Sequence, residues 1–401
     1  MTNMPILFFI IDGLGDRPVS LLGGKTPLEA ATTPNLDKLA MGGRQGLVQI
    51  CEREKNDYTS SGSGHLTLFG YSREEFPERG IVEALGLEIP ITPGALYLRA
   101  NFATYEDGLI IDRRAGRITE NTAALCQAIS FNDGQYHFTV YPSLEHRAVL
   151  EIKGPQLSSK IGGNDSKEEN VAPLAIKAED SSPAAQETAT VLGNYLDKVH
   201  TILENHPFNA DLEARGQKKA NYLLVRGPGL SKAVKSFKEK TGLRAAAIAG
   251  GKFYRGVALF LGMDLLPVIG ATGDFRTDLA AKFMATKKAL TQYDFVFLHV
   301  KAIDEFGHDG QCQAKKEFVE KIDSFLPQLG DLSSVVAVIT ADHATPCEVK
   351  DHTSDPVPFL MLANNKSDNL ERFNEVTSSK GSLGILKGSD VLPLVLKEAG
   401  R

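Results

Sequence analysis

The chain has 401 residues, 42% of them hydrophobic, with 44 Lys+Arg against 50 Asp+Glu and a formal net charge of −6. That apolar content supports a full core and about two to three domains, and it excludes a disordered or fibrous chain. The charges are interspersed, so no basic face offers itself to nucleic acid or an anionic membrane, and a small anionic substrate would need local positive charge.

Taken in chain order, residues 5–11 read PILFFII, a continuous β-favouring run of the kind found in parallel strands buried on both faces. The run stops at Asp12-Gly13. With no Lys or Arg before it and Asp12 directly after it, it is a poor signal peptide, and nothing in the chain reaches the ~18 apolar residues of a membrane helix. The four cysteines, Cys51, Cys126, Cys312 and Cys347, are scattered without a C-x-x-C pair, which fits a reducing cytoplasm. Residues 58–66, YTSSGSGHL, form a Gly/Ser turn running into an apolar, helical stretch, where backbone N–H groups or a metal would ease ionisation of a hydroxyl. Four hydroxyls compete there, those of Thr59, Ser60, Ser61 and Ser63, and spacing does not choose among them.

From about Ile91 to Thr241 the pattern changes to alternating strands such as Ala95 to Ala103 and His146 to Lys153, the polar stretch Gly162 to Asn170, and a long helix from Pro183 to Asn205. This block reads as an α+β domain, residues 89–241, inserted into a core of residues 1–88 and 242–401. An insertion creates a cleft, which suits a substrate that must be shielded from water. The GGK of IAGGKFYRG resembles part of a P-loop, but Ala246 stands where the first glycine belongs and Phe253 where Ser or Thr should follow, so that reading fails.

Helix-like segments, Leu279 to Leu290 and Ala314 to Phe325, then alternate with three further strand-like runs. Residues 294–300, DFVFLHV, lead into Lys301-Ala302-Ile303-Asp304; residues 334–340, SVVAVIT, deliver Asp342-His343; residues 357–362 follow His352. The alternation predicts an α/β fold with a mainly parallel sheet flanked by helices, in which ligands gather beyond the carboxyl ends of the strands. A single Asp after a strand is explained by a turn or a helix cap. Three buried strands that each end in carboxylates, two with histidines attached, point to one shared site.

Asp304 and His308 stand at i and i+4, so one helical turn puts both on one side. With His352 they make one carboxylate and two imidazoles, a set suited to Zn²⁺ or Mn²⁺. Asp12, Asp342 and His343 make a second set of the same size. Two ions about 3.5–4 Å apart form the usual clamp for in-line displacement at phosphorus. Cys347, though close in sequence to His343, reads as a small buried residue rather than a ligand.

Ordered motifs along nearly the whole chain resemble the cofactor-independent phosphoglycerate mutases of the archaeal type, within the alkaline phosphatase superfamily. They are FIIDGLGDRP, SGSGHLTLFGY, LRANFAT, IDRRAGRI, EHRAVL, ANYLLVRGPG, DEFGH, and ADHATP followed by DHTSDPVP. The resemblance implies an alkaline-phosphatase-like core and interconversion of 3-phosphoglycerate and 2-phosphoglycerate in glycolysis or gluconeogenesis. It implies two divalent metal ions (Mn, Zn, Mg or Co) and no need for 2,3-bisphosphoglycerate. Within S-x-x-x-H-L it singles out Ser61 as the nucleophile that carries the phosphoryl group, with His65 near the substrate. One ion then belongs to Asp304, His308 and His352, and the other to Asp12, Ser61, Asp342 and His343. The family's substrate-binding arginines match motifs holding Arg113, Arg114, Arg117, His146, Arg147 and Arg226, and its core lysine matches Lys252. Two departures stand out: Ser61-Gly62 replaces the Ser-Asp of many members, and Asp165-Ser166-Lys167 replaces an Asp-Pro-His segment. The expected partner is a small phosphorylated hydroxy acid, with neither nucleic acid nor membrane, and homo-oligomerisation is compatible with this reading. The rival reading is a metal-dependent phosphatase or another small-molecule phosphotransferase of the same superfamily.

Overall fold

The computed structural model describes residues 3–50, 61–231, 234–364 and 366–401; Cys51 and residues 58–60 of the Gly/Ser segment lie outside them. The chain divides into two compact units, Met1–Phe76 with Val234–Arg401, and Pro77–Ala233. Both changeovers fall earlier than the boundaries read at residues 88/89 and 241/242. At the first, the amphipathic helix Arg79–Gly86 buries Ile81 and Val82 and packs on strands of the second unit. At the second, the helix Phe237–Thr241 inserts Phe237 against Phe69 and Phe295 of the first unit.

In chain order the strands are β1 (Ile6–Ile11) and β2 (Arg44–Gln49), then β3 (Leu96–Glu106), β4 (Leu109–Asp112), β5 (Asn132–Asp133), β6 (Tyr136–Pro142), β7 (Arg147–Lys153) and β8 (Tyr222–Leu230). They continue with β9 (Ala245–Ile248), β10 (Asp264–Leu265), β11 (Phe295–Val300), β12 (Val336–Thr340), β13 (Val357–Leu362) and β14 (Ile385–Lys387).

The first unit is built on an eight-stranded sheet of order β10-β9-β11-β1-β12-β13-β2-β14. Every residue of β1, β11 and β12 is buried, as a strand covered on both faces requires. β1 pairs in parallel with β11 and β12, with Ile11 beside Val300 and Ile10 beside Thr340. That register brings the residues after all three strands to one edge: Asp12 beside Lys301 on one side and Asp342 on the other. Neighbouring strands are ~4.8 Å apart, so the three ends span a width that accommodates two adjacent ions. β13 runs antiparallel to both β12 and β2, which makes this part of the sheet mixed.

Beneath this edge the helix Leu279–Ala289 buries Lys282 completely, and its ammonium donates to the carbonyl of His299 at 2.8 Å. Burial pushes the Lys282 pKa down to about 8 from an ordinary 10.5. Below about pH 8 the folded chain therefore holds a buried cation at a cost. Between pH 8 and 10.5 the unfolded chain binds more protons than the folded one, so stability rises with pH across that window. Lys282→Met is expected to be more stable than the parent at pH 7 by about 1–3 kcal/mol, with the gap closing as pH rises towards 10.5. Urea midpoints measured at pH 7 and pH 10 check both the sign and the closure.

The second unit is organised by β3, which pairs antiparallel with β7, β8 and β4; β6 and β5 extend the sheet beyond β7. One face carries Leu96, Leu98, Ala100 and Phe102, packed on Leu192, Tyr195 and Val199 of the helix Pro183–Glu204. Tyr195 stacks on Phe138 with centroids 3.9 Å apart, and its hydroxyl donates to Ile129 O. Side chains alternate along a strand, so the intervening residues Arg99 and Asn101 face the other way. There Arg99 is the register partner of Arg226, and Asn101 that of Arg147.

Candidate metal centre

At the carboxyl edge of the first unit, Asp12, Asp304, Asp342 and His343 are all buried. Asp304 lies in the short helix Ala302–His308 that follows β11, so the i, i+4 spacing delivers His308 to the same side. Asp304 Oδ1 lies 3.5 Å from His308 Nε2 and 3.4 Å from His352 Nε2, and the two Nε2 atoms are 3.1 Å apart. His308 Nδ1 donates to Lys350 O at 3.0 Å, which leaves the Nε2 lone pair facing the other ligands. Asp12, Asp342 and His343 close a second group: His343 Nε2 is 3.4 Å from Asp12 Oδ1 and 3.2 Å from Asp342 Oδ2.

The groups share a wall. The His343 ring stacks on His352 with centroids 3.7 Å apart, and Asp304, His343 and His352 by themselves also offer three converging ligand atoms. Thr345 connects the two sets, its hydroxyl donating to Asp304 Oδ1 at 2.7 Å and accepting from His343 Nδ1 at 3.1 Å. Asp12 Oδ1 and Asp342 Oδ2 are buried acceptors without a hydrogen bond. Asp342 Oδ2 has two imidazole nitrogens at 3.2 Å, but neither is aligned to donate to it. Buried carboxylate oxygens left without donors are costly, and oxygens of this kind with the His308, His343 and His352 imidazoles close by make a donor set that fits divalent cations.

Burial together with the Asp342 charge raises the pKa of Asp12 to about 6. Burial works the same way on Asp304, but the Lys301 ammonium and the imidazoles outweigh it and hold Asp304 well below the usual carboxylate range. Two closely spaced carboxylates of which one resists ionisation are expected where a cation normally shares their charge.

Ser61 is the first residue of the helix Ser61–Leu68, and its Oγ lies 3.2 Å from His343 Nε2. The other hydroxyl of the segment within the described residues, Ser63, lies two positions further into the helix. Close packing explains both glycines between Ser61 and His65. A Cβ at Gly64 would sit 2.4 Å from Asp342 O, so the helix can approach the ligand strand only without a side chain there. A Cβ at Gly62 would meet the Phe76 ring at 2.6 Å and the Phe253 ring at 3.0 Å, so these two aromatic rings occupy the space a side chain would need.

His65 is placed differently from the substrate role expected of it. Its side chain is wholly buried, donates from Nδ1 to Ser61 O at 2.6 Å, and lies 3.2 Å from Asp342 Oδ2. Rings of Tyr254, Phe297 and His299 surround it. A ring so enclosed holds the turn carrying Ser61 through its bond to the Ser61 carbonyl. Lys252 opens the helix Lys252–Phe260, which packs on the helix Ser61–Leu68 through Phe253. Cys347 is buried beside Val19 and Cys312, away from the ligand oxygens, as a small core residue.

Sequence reasoning passed over His299 and Lys301. His299 Nε2 donates to Asp12 Oδ2 at 3.1 Å while the ring stacks on Tyr254 at 3.7 Å, and burial keeps its pKa well below the ordinary value. A lone polar residue inside the apolar run DFVFLHV was the available signal, since a buried polar side chain needs a partner.

In the second unit the expected arginines gather on the polar face of the sheet. Arg113 makes a two-pronged pair with Asp165, 2.9 Å from Nε and 2.8 Å from Nη2, and Arg226 approaches the same carboxylate at 3.7 Å. The Asp165 segment that departs from the family pattern thus serves as an anchor for two arginines. Arg99, not expected from sequence, shares Glu83 with Arg79. Burial and the neighbouring Arg147, Arg114, Arg99 and Arg117 press the His146 pKa down to about 3. Burial and Arg79 lower that of Arg226 to about 10, against the pull of Asp165. Arg99 Nε and Arg226 Nε are buried donors without a hydrogen bond. Arg113, Arg114 and Arg117 also line a basin of about 450 Å³ together with Lys167. Guanidiniums gathered so closely on one face invite an anion.

The Metalloenzyme superfamily matches residues 4–398 of the chain. A 2,3-bisphosphoglycerate-independent phosphoglycerate mutase of Thermoplasma volcanium is 41% identical over 399 residues, covering 99% of this chain and 97% of the relative. One of Pyrococcus abyssi is 40% identical over 398 residues, with 97% and 96% covered. Among solved structures, a Pyrococcus horikoshii protein aligns with a TM-score of 0.86 at 32% identity, over 100% of this chain and 98% of its own. The cofactor-independent phosphoglycerate mutase of Thermoplasma acidophilum aligns with a TM-score of 0.71 at 34% identity, over 99% and 100%.

Proposed function

Because the chain belongs to the Metalloenzyme superfamily and, within it, to the 2,3-bisphosphoglycerate-independent phosphoglycerate mutases, we propose that it interconverts 3-phosphoglycerate and 2-phosphoglycerate by way of Ser61. Membership carries dependence on metal and independence from 2,3-bisphosphoglycerate. The number of ions is the finer reading. Two neighbouring donor sets, Asp304, His308 and His352 on one side and Asp12, Ser61, Asp342 and His343 on the other, support a pair. Their mix of imidazole and carboxylate suits Mn²⁺, Zn²⁺ or Co²⁺ and admits Mg²⁺.

The observation that carries the reading is the place of Ser61 Oγ, 3.2 Å from His343 Nε2 at the start of a helix. Positive charge from the helix N-terminus favours an oxygen that becomes anionic. Divalent ions, when bound, would add Lewis-acid stabilisation of the Ser61 oxygen and of the phosphoryl oxygens. In the first half-reaction the Ser61 hydroxyl gives up its proton as its oxygen bonds to phosphorus, and the bond from phosphorus to the glycerate 3-oxygen breaks, that oxygen taking up a proton. In the second half the glycerate 2-hydroxyl loses a proton as its oxygen bonds to phosphorus, the bond from phosphorus to the Ser61 oxygen breaks, and Ser61 takes a proton back. Lys252, at a helix N-terminus, would offset charge on the transferring group. Arg113, Arg114, Arg117, Arg147 and Arg226, with His146 beside them, would hold the substrate's anionic groups by forked hydrogen bonds. Retention of glycerate between the halves separates a mutase from a phosphatase.

The buried free thiols of Cys126, Cys312 and Cys347 support placement in the reducing cytoplasm, and no helix among the described residues is long and apolar enough to cross a membrane. Phosphorus NMR of the protein given 3-phosphoglycerate is expected to show 2-phosphoglycerate with little free phosphate. Activity should vanish on chelation and return with Mn²⁺, Zn²⁺, Co²⁺ or Mg²⁺. Inorganic phosphate as the main product would overturn the mutase reading, and full activity in the chelated protein would overturn the metal reading.

A further inference from the structure

Lys301 is the residue immediately after β11, three positions before Asp304, and its ammonium touches a carboxylate from each ligand set. Nζ lies 2.7 Å from Asp304 Oδ2 and 3.9 Å from Asp12 Oδ2. Both carboxylates divide their oxygens in the same way. Asp304 turns Oδ1 to His308, His352 and Thr345 and Oδ2 to Lys301. Asp12 turns Oδ1 to His343 and Oδ2 to His299 and Lys301. The ammonium therefore stands behind both ligand sets, on the side away from the imidazole nitrogens of His308, His343 and His352. The Tyr254 ring, with its centroid 5.4 Å from Nζ, gives the cation a second favourable neighbour.

On the two-ion reading given above, we propose that Lys301 is a tethered monocation shared by both metal sets, a positioning residue that holds Asp12 and Asp304 together before any ion arrives and restrains the affinity for the ions that follow. Asp12, Asp304 and Asp342 are all buried, ligand atoms of Asp12 and Asp342 lie within 4.8 Å of one another, and Asp304 and Asp12 flank the one ammonium, so without a cation their repulsion would splay the strand ends. Lys301 supplies charge there from within the chain. Once dications bind, the same ammonium becomes a like-charged neighbour. Coulomb energy scales with the product of the charges, so its repulsion from a dication exceeds its attraction to one carboxylate at a similar distance. Both effects have one sign: removing the charge weakens the metal-free fold and tightens metal binding. A residue that merely oriented the ligands would have the opposite effect on affinity, because loss of an outer partner typically weakens a metal site.

The test uses Lys301→Met, which keeps an unbranched side chain shorter only by its terminal atom and removes the charge, with Lys301→Arg as the variant that restores it. Melting temperatures are taken on chelated and Mn²⁺-loaded full-length protein, and Mn²⁺ affinity is measured by calorimetry. For Lys301→Met the metal-free melting temperature is expected to fall by about 5 °C or more, and the loaded one by less than half as much. The Mn²⁺ dissociation constant should drop at least about tenfold, and Lys301→Arg should return both readouts towards the parent. Equal losses of melting temperature in both forms with unchanged affinity would reduce Lys301 to a structural cation and overturn the proposal. Weaker Mn²⁺ binding in Lys301→Met would overturn it as well, in favour of ligand orientation. The unsubstituted protein binding fewer than two Mn²⁺ ions would strike at the two-ion reading instead, and the same titration reads that separately.

Discussion

Ser61→Ala is expected to lower mutase turnover by about 10⁴-fold or more while the melting temperature stays near that of the parent and Asp12, Asp342 and His343, which remain as three ligands, keep the ion of their set. The Ser61 side chain contributes a single oxygen at the mouth of the Asp12, Asp342 and His343 group, 3.2 Å from His343 Nε2, and none of the buried packing around it depends on that oxygen. The backbone carbonyl of Ser61, which accepts from His65, is unchanged by the substitution. Loss of the phosphoryl acceptor therefore separates from loss of the site. The check has two parts, steady-state conversion of 3-phosphoglycerate followed by phosphorus NMR, and mass spectrometry for a phosphorylated peptide in the parent but not the variant. Retention of full activity would transfer the nucleophile to Ser63, the other serine of that helix.

Much of the centre was legible because buried parallel strands announce themselves as unbroken apolar runs and their ends are where side chains become chemical. Asp12, Asp304 and Asp342 follow three such runs, and the register of β1 with β11 and β12 brings them together. Strand direction is a property of pairing and not of local composition, so the antiparallel course of β13 could not be read in residues 357–362. Nor does an amphipathic helix say which sheet it will cover, and Arg79–Gly86 went to the second unit. Lys301 and His299 were passed over for another reason. They are not ligand types at the expected positions, and their importance lies in what they do to the carboxylates of Asp12 and Asp304, which needs tertiary distances. Arg99 went unnoticed because a charged residue within an alternating strand reads as solvent-facing, whereas here Glu83 and the helix Arg79–Gly86 cover it. His65 shows the converse: the motif marks it, but the motif cannot say that its ring lies among Tyr254, Phe297 and His299.

His343→Ala and His308→Ala are expected to differ in metal stoichiometry although both abolish most turnover, by about 10⁴-fold. His343 is the vertex common to the two sets. Its Nε2 approaches Asp12, Asp342 and Ser61, its ring stacks on His352, and its Nδ1 reaches Asp304 through Thr345. Deleting it removes a ligand from one set and, from the other, both the stacking support of His352 and the partner of the Thr345 hydroxyl. Metal retained after desalting should then fall well below one ion per chain. His308 stands at the rim, partly exposed, with Asp304, His352 and the Lys350 carbonyl as its neighbours. Its loss leaves Asp12, Asp342 and His343 untouched, so one ion per chain should survive. Elemental analysis of both variants against the parent decides the matter. Equal retention in the two would mean that the sets are independent and that the stacked imidazoles and the Thr345 bridge do not couple them.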